Sequence, residues 1–104
     1  MIVCQWHLDI PYGKQGEVMK IMKAWGKQKM ASSEFSRAKS SRLLAGLVGP
    51  SASHVIDEYV FDSLSDFDAA IKGMGASEFK QHSDALAPYI IPGSQHWEIL
   101  RVLE

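Results

Sequence analysis

At 104 residues, with 46% hydrophobic and 22% charged residues, the chain has the composition of one globular domain and falls outside the disordered and fibrous classes. A single cysteine, Cys4, excludes an internal disulfide and suits a reducing compartment. The net charge of −1 hides an asymmetry: eight of the eleven cations (Lys14, Lys20, Lys23, Lys27, Lys29, Arg37, Lys39, Arg42) lie between residues 14 and 42, against Glu17 and Glu34.

Those cations read as a solvated helix face, and no nucleic-acid partner is expected. Met1 runs directly into Ile2, Val3 and Cys4 with no cationic region or long apolar stretch. Neither a signal peptide nor a membrane span is expected, and the location is expected to be cytoplasmic.

Residues 1–9 alternate as a strand, with Ile2, Cys4, Trp6 and Leu8 on one side and Val3, Gln5, His7 and Asp9 on the other. Cys4 is thereby a small buried hydrophobe. After Pro11, Tyr12 and Gly13 the period changes: Val18, Ile21, Met22 and Trp25 have the spacing of an amphipathic helix, with Lys20, Lys23 and Lys27 on its wet side.

The polar run from Ser32 to Ser41 ends that helix. Residues 42–48 read as a second strand, and Gly49 and Pro50 supply a turn into a third strand over residues 54–62, which makes a hairpin. Asp62 and Ser63 offer N-caps, and Ser63 with Asp66 has capping-box spacing before Phe67, Ala70, Ile71 and Met74. Gly73, Met74 and Gly75 interrupt this helix. Ser77 is expected to cap a second piece carrying Phe79, His82 and Leu86, ended by Pro88. After the Pro92-Gly93 turn, residues 95–103 form the fourth strand.

The order β-α-β-β-α-β across 1–104 predicts a single ferredoxin-like α+β domain, a four-stranded antiparallel sheet of order 4-1-3-2 with helices on one face. The opposite face should then be polar, yet alternation leaves Val3, Leu44, Val48, Ile56, Val60, Leu100 and Val102 there. A patch of that size predicts a homodimer through the sheet face, with His7, His54, Glu58, His96 and Glu98 as its polar members. A domain of this length buries only about 60 to 70% of its unfolded surface, so a second copy would add stability.

Two stretches carry a resemblance: Glu58-Tyr59-Val60-Phe61-Asp62-Ser63-Leu64-Ser65-Asp66-Phe67, and Pro92-Gly93-Ser94-Gln95-His96-Trp97-Glu98-Ile99-Leu100-Arg101-Val102. Over nearly its full length the chain resembles the dimeric α/β-barrel superfamily of ferredoxin-like proteins, which includes antibiotic-biosynthesis-type monooxygenases and NIPSNAP-like proteins. The resemblance implies a dimeric α/β barrel. It also implies a ligand site between sheet and helices, lined here by Trp6, Asp57, Tyr59, Phe61 and His82.

From the residues themselves, Asp57 is the most informative, because it points toward the helices with Val55, Tyr59 and Phe61. A carboxylate there needs a partner, such as Arg101, a histidine or backbone amides, or else serves proton transfer to a small ligand. Tyr59 and His82 are the other candidate catalytic groups, although a satisfied core histidine also describes His82.

Trp6, Trp25, Phe61 and Trp97 are candidate ligand-binding residues for a flat apolar molecule, and ordinary core packing describes them equally well. No spacing in the sequence marks a metal site, and the glycines lack a phosphate-loop context, so no metal and no cofactor is expected. Two functions stay open. One is a small-ligand-binding or scaffold module, and the other is a cofactor-independent monooxygenase, isomerase or cyclase acting on a small aromatic or polyketide-like substrate. The space between sheet and helices separates them: an open pocket reaching Asp57 favours ligand chemistry, and filling by Trp6, Trp25 and Phe61 favours a scaffold.

Overall fold

A computed structural model describes residues 1–75 and 79–104. Strand β1 (Ile2–Asp9) leads to helix α1 (Gln15–Ser32), then β2 (Ser40–Ala45), β3 (His54–Phe61), α2 (Leu64–Gly73), α3 (Lys80–Leu86) and β4 (His96–Arg101). The sheet order is β2-β3-β1-β4, and every neighbouring pair is antiparallel. This is the ferredoxin-like arrangement expected from the element order, with the helices on one face.

The barrel implied by the resemblance is corrected. β2 and β4 are the two edges of one open sheet and do not pair with each other, so the strands do not close into a barrel.

Local chemistry explains most element ends. Ser63 caps α2, its hydroxyl accepting from the Asp66 amide at 3.2 Å, which chooses it over Asp62. α2 ends at Gly73, as the glycine pair predicts. Ser77 lies outside the described residues. Gly13, Gly49 and Gly93 take positive φ (81°, 91° and 81°) at three turns.

The second strand differs from its expected span. It starts earlier, Ser40 pairing with Val60, and ends at Ala45, which leaves Leu47 and Val48 exposed in the hairpin turn. Gly46 closes the ladder by donating its amide to the His54 carbonyl at 3.0 Å. A Cβ on Gly46 would lie 2.0 Å from the Ser51 carbonyl oxygen, so the turn folds tightly over this residue and the apolar pattern cannot continue as strand. Val48 therefore drops out of the outer face. At the other end β4 stops at Arg101, and Leu103 is exposed beyond it.

The register decides where a site can form. Facing the helices, Leu8 pairs with Val55, Trp6 with Asp57, and Cys4 with Tyr59. Leu8 and Val55 join Ile10, Val18, Met22 and Leu86 in one apolar cluster. Cys4 and Tyr59 join Phe35, Phe61 and Ala70 in a second. The cross-strand row Trp97, Trp6, Asp57, Leu43 runs between them. The core is thus divided, and its seam is aromatic and charged.

No helix among the described residues is long and apolar enough to cross a membrane.

Candidate functional site

At that seam α1 delivers a side chain that the sequence reading left in solvent. Lys29 lies four residues after Trp25, seven after Met22 and eleven after Val18, on the same helical stripe. It is buried, and its Nζ donates to Asp57 Oδ2 at 2.9 Å. Tyr59 donates its hydroxyl to the same oxygen at 2.9 Å. The partner of Asp57 is therefore lysine and tyrosine, and not Arg101, a histidine or backbone amides.

The Lys29 ammonium also sits 4.7 Å from the Trp25 ring centroid, 4.9 Å from Tyr59 and 5.1 Å from Phe35. An aromatic cage of this kind replaces part of the hydration that burial removes. Burial pushes the Tyr59 phenol well above its ordinary range, and the charge and hydrogen bond of Asp57 add to this, so Tyr59 stays protonated as a donor.

Above this triad opens a pocket of about 260 Å³ lined by Trp6, Trp25, Lys29, Phe35, Asp57, Ile71, Met74, Ser83, Gln95 and Trp97. Trp6 meets Trp25 edge-on at 6.1 Å and stacks on Trp97 at 6.4 Å, so the three indoles form a continuous wall. The Trp25 Nε1 is buried with no hydrogen-bond partner among the described residues. A second hollow, of about 410 Å³, lies between α1 and β2 against Met22, Met30, Leu43 and Asp57. Asp57 therefore borders open space on two sides.

Of the sequence candidates, Asp57, Trp6, Trp25 and Trp97 meet in the pocket lining, with Tyr59 held to Asp57 beneath it. Phe61 is fully buried beside Phe35 and Phe67, away from the lining. His82 is half-buried on α3, and its neighbour Ser83 is the residue that lines the pocket. Cys4 is buried in the second cluster, which pushes its thiol up to about 11.

The opposite face of the sheet carries a polar assembly that linear spacing did not reveal. Gln5 Nε2 donates to Glu58 Oε1 at 2.8 Å, and Arg42 donates to Glu58 Oε2. Burial raises the Glu58 pKa, but the hydrogen bonds from Arg42 and Gln5, with the Arg42 charge, outweigh it and hold the carboxyl below its ordinary value. Beside it, His7 stacks on His96 with ring centroids 4.8 Å apart and lies 5.0 Å from His54. His7, His96 and Glu98 each place one ligating atom within 4.8 Å of the others. Burial pushes the His7 imidazole below its ordinary value; of the neighbouring charges, Glu98 opposes this, while His54 and His96 add to it. The hydrogen bond to Glu98 pushes His96 up.

The sequence matches no family model and no curated protein. Solved structures do match in fold. A NIPSNAP family protein from Agrobacterium tumefaciens is 20% identical, with a TM-score of 0.76, covering 99% of this chain and 93% of its own. An uncharacterized NIPSNAP domain protein from Burkholderia xenovorans is also 20% identical at a TM-score of 0.76, covering 98% and 94%. An antibiotic biosynthesis monooxygenase is 7% identical with a TM-score of 0.71, covering the whole of both chains. The fold of this chain is that of the small NIPSNAP-like and antibiotic-biosynthesis-monooxygenase-like proteins.

Proposed function

We propose that the chain binds a small, flat, weakly acidic aromatic molecule between sheet and helices. The observation that carries this reading is the Lys29–Asp57–Tyr59 triad bordering a pocket walled by three tryptophans. Indole faces suit a flat apolar ring, and the ammonium of Lys29 suits the oxygen of a phenol or enol that carries partial negative charge. At about 260 Å³ the pocket falls just below the range of roughly 300–1,000 Å³ typical of sites for drug-sized ligands, which favours a one- or two-ring molecule.

Titration with 2-naphthol, followed by tryptophan fluorescence, tests the reading. We expect saturable quenching by 2-naphthol, weaker binding of naphthalene, and loss of the difference in Lys29→Met. Equal binding of the two ligands with no effect of Lys29→Met would remove the triad from recognition. Binding of neither would favour a scaffold.

Asp57 supports a second reading, a cofactor-independent isomerase, cyclase or monooxygenase. Both of its contacts use Oδ2, which leaves Oδ1 as the acceptor for a proton from a carbon acid, with Lys29 stabilising the resulting enolate. In the oxygenase version dioxygen is the oxidant: a substrate CH₂ becomes C=O, and the second oxygen atom leaves as water. Turnover of an aromatic or polyketide-like substrate that survives in Asp57→Asn would exclude this role.

The occupant we propose for the outer face is a second copy of the chain. Val3, Leu44, Ile56 and Val60 are only half-buried there, and Leu100 is exposed. The cross-strand row Arg42, Glu58, Gln5, Glu98 runs from a basic edge to an acidic one. A copy related by a two-fold axis parallel to the strands would lay the β2 edge of one along the β4 edge of the other. Sedimentation should give twice the chain mass, reduced to monomer by Ile56→Lys; a monomer at high micromolar concentration would contradict this.

A further inference from the structure

On the outer face of the sheet, hydrogen bonding fixes where the protons of two histidines sit. The Asp9 carboxylate lies 2.8 Å from His54 Nδ1, and a carboxylate only accepts, so His54 carries its proton on Nδ1. Its Nε2, 2.7 Å from His7 Nδ1, then accepts, which places the His7 proton on Nδ1. On the next strand Glu98 Oε2 lies 2.9 Å from His96 Nε2, closer than the 3.3 Å between His96 Nδ1 and the Ser94 carbonyl, so His96 donates through Nε2 to Glu98.

His7 Nε2 is left as a bare lone pair, and both Nε2 atoms face the same carboxylate oxygen: Glu98 Oε2 is 3.4 Å from His7 Nε2 and 2.9 Å from His96 Nε2. Gln5 adds to the imbalance. Its amide nitrogen is taken by Glu58, so its carbonyl oxygen faces His7 Nε2 at 3.0 Å. The lone pair of His7 Nε2 thus faces an acceptor with no proton between them, and a cation there that also displaces the His96 proton takes both imidazoles and Glu98 as ligands.

We infer that His7, His96 and Glu98 form a site for a divalent transition-metal cation of the zinc class, with His54 and Asp9 orienting His7 from behind. Two imidazoles and one carboxylate are a borderline-soft donor set suited to such cations and poorly suited to magnesium or calcium. Metal–ligand bonds of about 2.0–2.1 Å in tetrahedral geometry set the donor atoms about 3.3 Å apart, close to the 3.4 and 2.9 Å seen here. His96 and Glu98 are half-exposed and can adjust by small rotations, while His7 is buried and held through Nδ1. The Asp9–His54–His7 chain is the carboxylate–histidine arrangement that raises ligand basicity in metal sites. A hollow of about 380 Å³ bordered by His7, Asp9, His54, His96 and Glu98 leaves room for a further ligand.

Calorimetric titration of the chelator-treated full chain with Zn²⁺ at pH 7.5, alongside Co²⁺ absorption spectra, tests the inference. We expect one equivalent of metal per chain and visible Co²⁺ bands, with affinity about tenfold or more weaker in His96→Ala and in Glu98→Gln, whose exposed positions spare the fold. His54→Ala should weaken binding by a similar factor, and His82→Ala should leave it unchanged. Absence of saturable binding, or binding equally strong in His96→Ala and Glu98→Gln, would overturn it. Neither result depends on the pocket behind the sheet.

Discussion

Lys29 Nζ lies 2.9 Å from Asp57 Oδ2, and more than nine-tenths of each side chain is buried. The contact joins the last turn of α1 to the centre of β3 at the seam between two apolar clusters. It makes a charged group tolerable where the sheet faces the helices, and it sets the polarity of the pocket beside it.

Removing one partner should therefore cost more than removing both. Lys29→Met leaves the buried Asp57 carboxylate without its counter-charge, held by the Tyr59 hydroxyl alone, with an expected loss of about 3–5 kcal/mol in urea unfolding. Lys29→Met combined with Asp57→Leu should recover part of that loss, since apolar side chains of similar size fill the seam while the buried Tyr59 hydroxyl is left without its acceptor. Additive losses in the double variant would contradict the pairing.

The thiol of Cys4, raised to about 11 by burial, should be inert toward iodoacetamide in the folded chain at pH 8. Full alkylation should follow unfolding in guanidinium chloride. Mass spectrometry after timed quenching checks both, and rapid native labelling would show that β1 is not closed over by the helices.

Glu58 gives a pH dependence with a defined sign. Its folded pKa lies below its unfolded value, so the stability it contributes is present above the unfolded value of about 4.3 and is lost as pH falls through the lower folded one. Urea midpoints of wild type and Glu58→Gln should differ at pH 7 and converge toward pH 3. A gap that stays constant across this range would refute the assignment.

Much of this fold is legible in the residue pattern, because strict alternation in β1 and β3 and the capping box at Ser63 are local signals. The end of β2 is not. Leu47 and Val48 prolong the apolar pattern, while the tight turn over Gly46 depends on backbone approach from Ser51, which no pattern records. Asp57 announced itself as a carboxylate among inward-facing residues, yet its partner was hidden in a run of lysines. Position on the Val18–Met22–Trp25 stripe was the available signal. The histidine and glutamate assembly was beyond linear reading, since residues 7, 54 and 96 meet only through sheet register.

The central claim, a small aromatic ligand seated against Trp25 over the Lys29–Asp57 pair, is tested most directly by the three indole Nε1–H resonances in a ¹⁵N-correlated spectrum. On titration with 2-naphthol the Trp25 signal, assigned by its loss in Trp25→Phe, should shift saturably and furthest of the three. All three signals standing still at millimolar ligand would contradict the account.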